Sequence, residues 1–222
     1  MALTFIDIYN AVAEQAWSMY DADAETVEDF ESGLKTSINK ALTELWCSYP
    51  FPFRVKNYDF TTVAEQKEYA MPNGIIMKKP VKGEQTYSIR IGKNYLDLKD
   101  SLEIEDDVFG IPDSFQVYND TLLLYPIPDK EYEVKTEYLE LAIGEDDFGD
   151  KIYELKNDED TIAVSEKYED LFKKALITKS MVYAITSRED ENYAGYQEQY
   201  ENAYKTLINY CIGIDKDKRI IV

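Results

Sequence analysis

The stretch Tyr118-Asn119-Asp120-Thr121-Leu122-Leu123-Leu124-Tyr125-Pro126-Ile127-Pro128-Asp129 decides how the middle of this chain folds. Asn119-Asp120 tolerates the positive φ angles of a two-residue turn, and a strand-like run lies on either side of it. The stretch therefore predicts a tight antiparallel hairpin that leads into a turn set by proline.

Further short strands surround this hairpin. Aromatic and β-branched runs between turn residues predict strands over 58–63, 67–71, 86–91, 95–98 and 133–139. Gly92-Lys93-Asn94 predicts a second hairpin turn, and the alternation over 133–139 predicts a half-buried strand with one wet face. Residues 50–164 should therefore form an antiparallel β-rich region, either a meander or a small sandwich.

Two helices are predicted before this region. Thr4 with Asp7, and Thr26 with Asp29, have the three-residue spacing of a capping box. Apolar residues follow each cap at helical spacing, and the predicted buried stripes are Phe5, Ile8, Val12, Ala16 and Met19, then Val27, Phe30, Leu34, Ile38, Ala41 and Leu45.

An aromatic step joins the second helix to the β-rich region. Pro50 and Pro52 stop the helix. The aromatic residues around them are expected to pack in the core beneath the sheet, and they are Trp46, Tyr49, Phe51 and Phe53.

Two more helices are predicted after residue 165. Ser165 can cap a core helix with a wide apolar band, and 187–190 offers a cap for the last helix. That last helix carries Tyr193, Tyr196, Tyr200 and Tyr204, spaced three, four and four residues apart. These tyrosines either pack on the third helix with their hydroxyls at the wet rim, or face another subunit, because tyrosine is enriched in interface cores.

The predicted fold class is α+β, with a helical bundle built from N- and C-terminal helix pairs and an inserted antiparallel β-rich middle. The expected divisions are helices over 1–49, the β-rich region with an acidic connector over 50–164, helices over 165–212, and an extended docking tail over 213–222. The tail should leave the helix at Gly213 and end on Ile220-Ile221-Val222. It could add a strand to a partner or close the sheet of its own subunit.

Composition narrows the possible functions. The net charge is −20 and basic residues are not clustered, so ordinary nucleic-acid binding and binding to acidic membranes are disfavoured. Histidine is absent, which removes the commonest metal ligand and the usual base of a Ser or Cys nucleophile. Cys47 and Cys211 are expected to be small buried hydrophobes rather than a disulfide. No secretory signal follows Met1, so synthesis in a cytoplasm is expected.

The acidic connector over 144–160 has many carboxylates but not the ligand register of a calcium-binding EF-hand loop. A solvated loop with one short strand near Ile152 is therefore expected, and neither a metal site, a cofactor site nor a catalytic residue is predicted.

Several segments, taken in order, resemble the head-to-tail adaptor proteins of tailed bacteriophages, in particular those with short tails. The first is Leu45-Trp46 before the proline-aromatic step, and the others are Thr62-Val63-Ala64-Glu65-Gln66-Lys67-Glu68-Tyr69-Ala70-Met71-Pro72, Ile111-Pro112, Leu122 to Asp129, Tyr132 to Tyr138 and the closing helix pair. Members of that family often have Gly where this chain has Glu65. The order and spacing of these segments, over most of residues 1–212, carry the resemblance.

The resemblance implies a non-enzymatic virion protein at the head-tail junction, in a homo-oligomeric ring that is usually twelve-fold. Such a ring binds the portal protein on one side and the next tail or ring protein on the other, and duplex DNA passes through it. Twelve copies would carry a formal charge of −240, twelve times −20, and carboxylates within about 8 Å of DNA would repel its phosphates. The bore would then not grip DNA.

Candidate contact residues follow from this interpretation. The candidates for portal docking are Ile214, Arg219, Ile220, Ile221 and Val222, those for the subunit interface are Tyr193, Tyr196, Tyr200 and Tyr204, and those for the tail-facing β-region are Tyr118, Asn119, Asp120 and Tyr125. Two other classes stay open: an acidic DNA mimic that binds a basic partner, and an enzyme that uses paired carboxylates.

Overall fold

The structure is a computed structural model that describes residues 2–21, 25–81, 84–99, 108–118, 120–186 and 192–219. The predicted α+β class is confirmed. The described residues form four α-helices, in an N-terminal and a C-terminal pair: α1 (Phe5–Ala16), α2 (Val27–Ser48), α3 (Glu166–Thr186) and α4 (Tyr193–Arg219).

The strands lie between the two helix pairs. In chain order they are β1 (Val55–Thr61), β2 (Glu68–Ala70), β3 (Gly74–Ile76), β4 (Lys78–Val81), β5 (Glu84–Tyr87), β6 (Ile89–Ile91), β7 (Asn94–Tyr95), β8 (Asp97–Leu98), β9 (Phe109–Gly110), β10 (Ser114–Tyr118), β11 (Thr121–Tyr125), β12 (Ile127–Pro128), β13 (Glu133–Glu140), β14 (Gly144–Glu145), β15 (Lys151–Ile152) and β16 (Thr161–Ile162).

The chain divides into two compact units. The helical unit comprises Met1–Phe53 and Ala142–Val222, and the β unit comprises Arg54–Leu141. The predicted β-rich region therefore extends too far, because residues 142–164 belong with the helices. Ile143, Leu155 and Ile162 of this segment are buried in the helical core, which draws the acidic connector onto the bundle.

α3 is the centre of the helical unit, since it packs against α1, α2 and α4. Its Phe172 meets Trp46, Phe51 and Phe53 edge to face, with ring centroids 5.6 to 6.0 Å apart. The aromatic step is thus core, as expected, but it lies against α3 within the helical unit instead of beneath the sheet.

Both predicted capping boxes are confirmed. The Thr4 hydroxyl accepts the Asp7 backbone N–H at 3.3 Å, and Asp7 accepts the Thr4 N–H at 3.2 Å. Thr26 and Asp29 form the same reciprocal pair. The predicted stripes on α1 and α2 are buried except for Met19, which is partly buried after α1, and Val27, which is exposed in the first turn.

Two sheets of the β unit share one core. One has the order β1-β13-β6-β7, with β3 also paired to β13, and the other has the order β2-β11-β10-β8. Val134, Ile89 and Ile76 of the first sheet pack in one buried cluster with Tyr69, Phe115, Leu122 and Leu124 of the second. Of the two predicted arrangements, the small sandwich is the one observed, although β8 joins β10 in parallel.

Both predicted hairpins form. β10 and β11 pair antiparallel, with Asp120 at φ 59° in their turn, and β6 and β7 pair around Gly92, also at φ 59°. The predicted strand over 86–91 is divided at Ser88, because β5 pairs with β4 whereas β6 pairs with β13.

α4 corrects the predicted tail. Its backbone is helical through Arg219, so residues 213–219 are not extended. A glycine inside a helix costs only about 1 kcal/mol relative to alanine, and Gly213 alone does not end a helix of 27 residues. Ile220, Ile221 and Val222 lie outside the described residues. Among the residues described, none of the helices has the length and hydropathy needed to span a membrane.

Candidate assembly surfaces

The predicted tyrosines of α4 face mainly into their own unit. Tyr196 and Tyr204 are partly buried against the helical core, and the Tyr204 ring lies 5.7 Å from that of Tyr200. Tyr193 is 43% exposed. Most of this stripe therefore packs within the unit, as in the first of the two predicted arrangements, and leaves Tyr193 as its outward member.

A polar cluster links α2, α3 and α4 beside this stripe. Lys179 is only 15% exposed and its Nζ lies 3.2 Å from Glu44 Oε2. The same Nζ lies over the rings of Tyr183 and Tyr200, 5.1 and 4.6 Å from their centroids. Lys40 lies over the Tyr183 ring at 4.2 Å. Each cation thus faces an aromatic ring, which stabilises it where water is partly excluded.

Protonation in this cluster is biased toward neutral phenols and an ionised carboxylate. The hydrogen bond from Tyr183 lowers the pKa of Glu44, and Lys179 lowers it further. Burial and the same hydrogen bond raise the pKa of Tyr183, while burial and the nearby Tyr204 raise that of Tyr200 to about 12. The cluster is therefore a charge pair held between aromatic rings.

Sequence reasoning missed Glu44, Lys40 and Lys179 as members of this cluster. A local signal was present, because Lys40 lies four residues before Glu44 and Lys179 four residues before Tyr183, which places each pair on one helix face. The pairing between α2 and α3, 135 residues apart, was not visible in the sequence.

The acidic connector uses its carboxylates to hold backbone groups. Asp146 accepts the N–H groups of Phe148 and Asp150 at 3.0 and 2.8 Å. Asp160, which is buried, accepts those of Lys156 and Asn157 at 2.6 and 2.9 Å. Within the described part of the chain, no three His, Cys, Asp or Glu side chains are grouped so that they could hold a metal ion.

The two cysteines differ from one another. Cys211 is buried on α4, whereas Cys47 is exposed near the end of α2, so the expectation that both are buried is wrong for Cys47. Within the residues that the structure describes, neither cysteine takes part in a disulfide. Cys47 is next to Trp46, which faces the core, and one step along a helix turns the side chain out of the apolar stripe.

A groove of about 880 Å³ runs along the outer side of α2. Its other wall is the segment 153–156, which Asn39 holds against the helix. The Asn39 amide donates to the Leu155 carbonyl and accepts the Leu155 N–H, both at 2.9 Å.

The β unit presents the predicted hairpin end and an apolar groove. Tyr118 is 65% exposed, Asp120 is exposed in the turn, and Tyr125 is half-buried at the other end of β11. Asn119 lies outside the described residues. The groove, of about 420 Å³, includes exposed Ile75, Leu98 and Val117. Sequence reasoning missed it because its three outward hydrophobes come from strands far apart in the chain.

The remaining candidates are at the end of the chain. Ile214 and Arg219 lie in the helical backbone of α4, and their side chains are outside the described part, as are Ile220, Ile221 and Val222.

No family model matches this chain, and no curated protein matches it in sequence.

Proposed function

We propose that this protein is a structural subunit of the connector between head and tail in a tailed bacteriophage. Copies form a ring, twelve-fold in the expected case, that binds the portal protein on one side and the next tail or ring protein on the other. DNA passes through the ring without specific binding, and the protein has no enzymatic role.

The observation that carries this proposal is the insertion of a β unit, with its own core, between the two halves of a helical unit. A helical unit of this kind suits side-by-side packing, because long helices present continuous faces. A separate β unit can contact a different neighbour. The matching segments occur in the same order as in the adaptor family, and this resemblance is the reason for placing the protein at the portal vertex.

Two surface features support the proposal. The apolar groove of the β unit exposes Ile75, Leu98 and Val117, and such apolar patches commonly mark contact sites for other proteins. The net charge of −20 favours a bore that repels DNA over one that binds it.

The test is the mass of the assembled species. Native mass spectrometry of the protein, alone and mixed with the portal protein of the same source, should show a ring or a monomer that becomes a ring on the portal. A protein that stays monomeric and ignores the portal would contradict the proposal. Capture of a basic DNA-binding protein by that monomer would favour the DNA-mimic class.

A substitution in the apolar groove of the β unit distinguishes the contact with the tail protein from the contact with the portal. Leu98→Lys should leave the portal complex intact but abolish addition of the next tail protein, because it places a charge in an apolar contact. Val63→Lys is the matched control, since Val63 is 53% exposed in the same unit but does not line the groove. Equal tail addition by both variants would exclude the groove as the tail contact.

A further inference from the structure

Trp17 leaves half of its ring in water at the end of α1. Its side chain is 53% exposed, and it begins a short 3₁₀ turn, Trp17–Met19, that continues the helix. Tryptophan is highly buried on average in folded proteins, because its ring is large and mostly apolar. The open part of this ring is therefore available for a contact outside the chain.

Two aromatic neighbours hold the Trp17 ring in one orientation. Tyr20 stacks on it, with centroids 5.3 Å apart and planes at 21°, and Phe30 of α2 meets it edge-on at 5.5 Å. Phe30 is fully buried, and the Tyr20 hydroxyl donates to the Glu25 carbonyl at 3.4 Å. Since the indole is already ordered, it loses little further freedom when a ligand covers its open side.

The part of the chain around this ring carries only negative charge. Residues 1–34 contain eight carboxylates and neither Lys nor Arg, and the acids are Asp7, Glu14, Asp21, Asp23, Glu25, Glu28, Asp29 and Glu31. The first cation, Lys35, lies over the Tyr9 ring, 5.7 Å from its centroid. Tyr9 is about 12 Å back along α1 from Trp17, which exceeds the screening length of about 8 Å at physiological salt.

The end of α1 adds to the preference for a cation. The carbonyl groups of a last helical turn carry a partial negative charge, and the last turn of α1 has no basic residue to offset it. Glu14 is exposed three residues before Trp17, on the same side of the helix. A positive group over the open side of the indole is therefore favoured by the ring, by the helix terminus and by Glu14.

These properties select one kind of partner. A second copy of this chain has a net charge of −20, and nucleic acids and acidic membranes are anionic too, so all three are repelled. Arginine fits better than lysine, because its guanidinium is planar, weakly hydrated and able to stack on an aromatic face. Val27 is 45% exposed, three residues before Phe30 on the same side of α2, and offers an apolar contact to the rest of the partner segment.

We propose that the Trp17 surface, defined as Glu14, Trp17 and Val27, binds a basic segment of another protein, with an arginine stacked on the indole. This surface belongs to the helical unit, whereas the apolar groove belongs to the β unit, so it is a second and chemically different contact. The inference goes beyond the proposed function, because it does not require a ring or a portal.

Fluorescence titration of the full chain tests the contact. The probe is a short peptide of alternating arginine and glycine, compared with peptides in which lysine or glutamate replaces arginine. Trp17 emission, obtained as the difference from Trp17→Phe, should change with the arginine peptide, and the lysine peptide should bind several-fold more weakly. The glutamate peptide should give no change. By calorimetry, Trp17→Ala should bind the arginine peptide about tenfold more weakly than the wild type.

Phe148→Ala is the matched control, because Phe148 is 84% exposed and lies among acidic residues in the same unit. This variant should bind the arginine peptide as the wild type does. Equal affinity for the arginine and lysine peptides, unchanged affinity in Trp17→Ala, or an equal loss in Phe148→Ala would mean adsorption by charge alone and would overturn the proposal.

Circular dichroism shows whether Trp17→Ala keeps its helices. If it does not, the test uses Glu14→Gln, which removes an exposed charge without changing the aromatic packing. That variant should weaken binding about threefold, and unchanged affinity in it would overturn the proposal. Ring formation on the portal by Trp17→Ala would leave the connector function standing whatever the peptide result, so the two ideas fail separately.

Discussion

At the scale of single residues, Glu44 and Tyr183 fix each other's protonation state. The Tyr183 hydroxyl donates to the Glu44 carboxylate. This hydrogen bond favours the ionised form of Glu44 and the neutral form of Tyr183. Lys179 adds its charge at 3.2 Å from the carboxylate. Because Glu44 has a lowered pKa in the folded protein, its contribution to stability is full above its ordinary pKa of 4.5 and is lost as the pH falls through the lower folded value.

We predict that Tyr183→Phe moves the pKa of Glu44 upward, toward its ordinary value, because the largest cause of the lowering is removed. Carbon-detected NMR titration of the Glu44 carboxyl group measures this shift. The loss of stability that Glu44 causes on acidification should be smaller in the variant and should be complete at a higher pH, because it ends at the folded pKa. Tyr118→Phe, on a tyrosine that is 65% exposed in the β unit, is the control and should leave the Glu44 titration unchanged. An unchanged titration in Tyr183→Phe would contradict the assigned hydrogen bond.

Residue-level prediction from the sequence succeeded where the interaction is local. The Thr4–Asp7 and Thr26–Asp29 caps each need only three residues of chain and a helix start, and both form. The contact between Glu44 and Lys179 depends on how α2 packs on α3, and no pattern within either helix specifies that packing. Likewise, helical spacing identified the Tyr193 to Tyr204 stripe but not which of its members are covered.

At the scale of elements, the Asn39 side chain holds the segment 153–156 against α2. Asn39 satisfies both the N–H and the carbonyl of Leu155, whose side chain is buried. An unpaired buried polar group costs about 1–3 kcal/mol, so we predict that Asn39→Leu lowers the free energy of unfolding by about 2 kcal/mol or more. Urea denaturation measures the loss. Asn209→Ala, on an exposed amide of α4, should change stability by at most about 0.5 kcal/mol.

β14 requires glycine at its first residue. A Cβ atom at Gly144 would lie 1.8 Å from the backbone oxygen of Thr161 on β16, a distance that the backbone can relieve only by separating the strands. We predict that Gly144→Ala disrupts the β14–β16 pairing and lowers the melting temperature. Gly33→Ala is a control of opposite sign, because its Cβ would meet no atom within 4 Å in the middle of α2. That variant should be more stable by about 1 kcal/mol. Equal melting temperatures for the two variants would contradict the close approach.

Element-level prediction failed mainly at boundaries. The composition of 142–164 is acidic and turn-rich, which predicts a solvated connector. Its Ile143, Leu155 and Ile162 side chains are nevertheless buried in the helical core, so the segment packs on the helices. The predicted end of α4 is too early. Glycine commonly ends a helix, but this helix continues through Gly213. In both cases, tertiary packing or helix continuity overrides a local signal of moderate strength.

At the scale of the whole molecule, the two units have separate cores. Phe172 is central in the helical core, and Phe115 is fully buried in the core of the β unit. The β unit is inserted between Phe53 and Ala142, so the helical unit is assembled from two chain segments that are distant in sequence. A protein with this division can change a surface of one unit without repacking the core of the other.

We predict that core truncations act within their own unit. Phe172→Ala and Phe115→Ala should each cost about 3–5 kcal/mol, since both remove a buried aromatic ring. Hydrogen exchange followed by mass spectrometry shows which backbone amides lose protection in each variant. In Phe172→Ala, amides of α2 and α3 should lose protection while those of β10 and β11 keep it, and Phe115→Ala should give the reverse pattern. Loss of protection in both units from either substitution would mean that the chain unfolds as one cooperative body, and the separate cores would then not define separate stabilities.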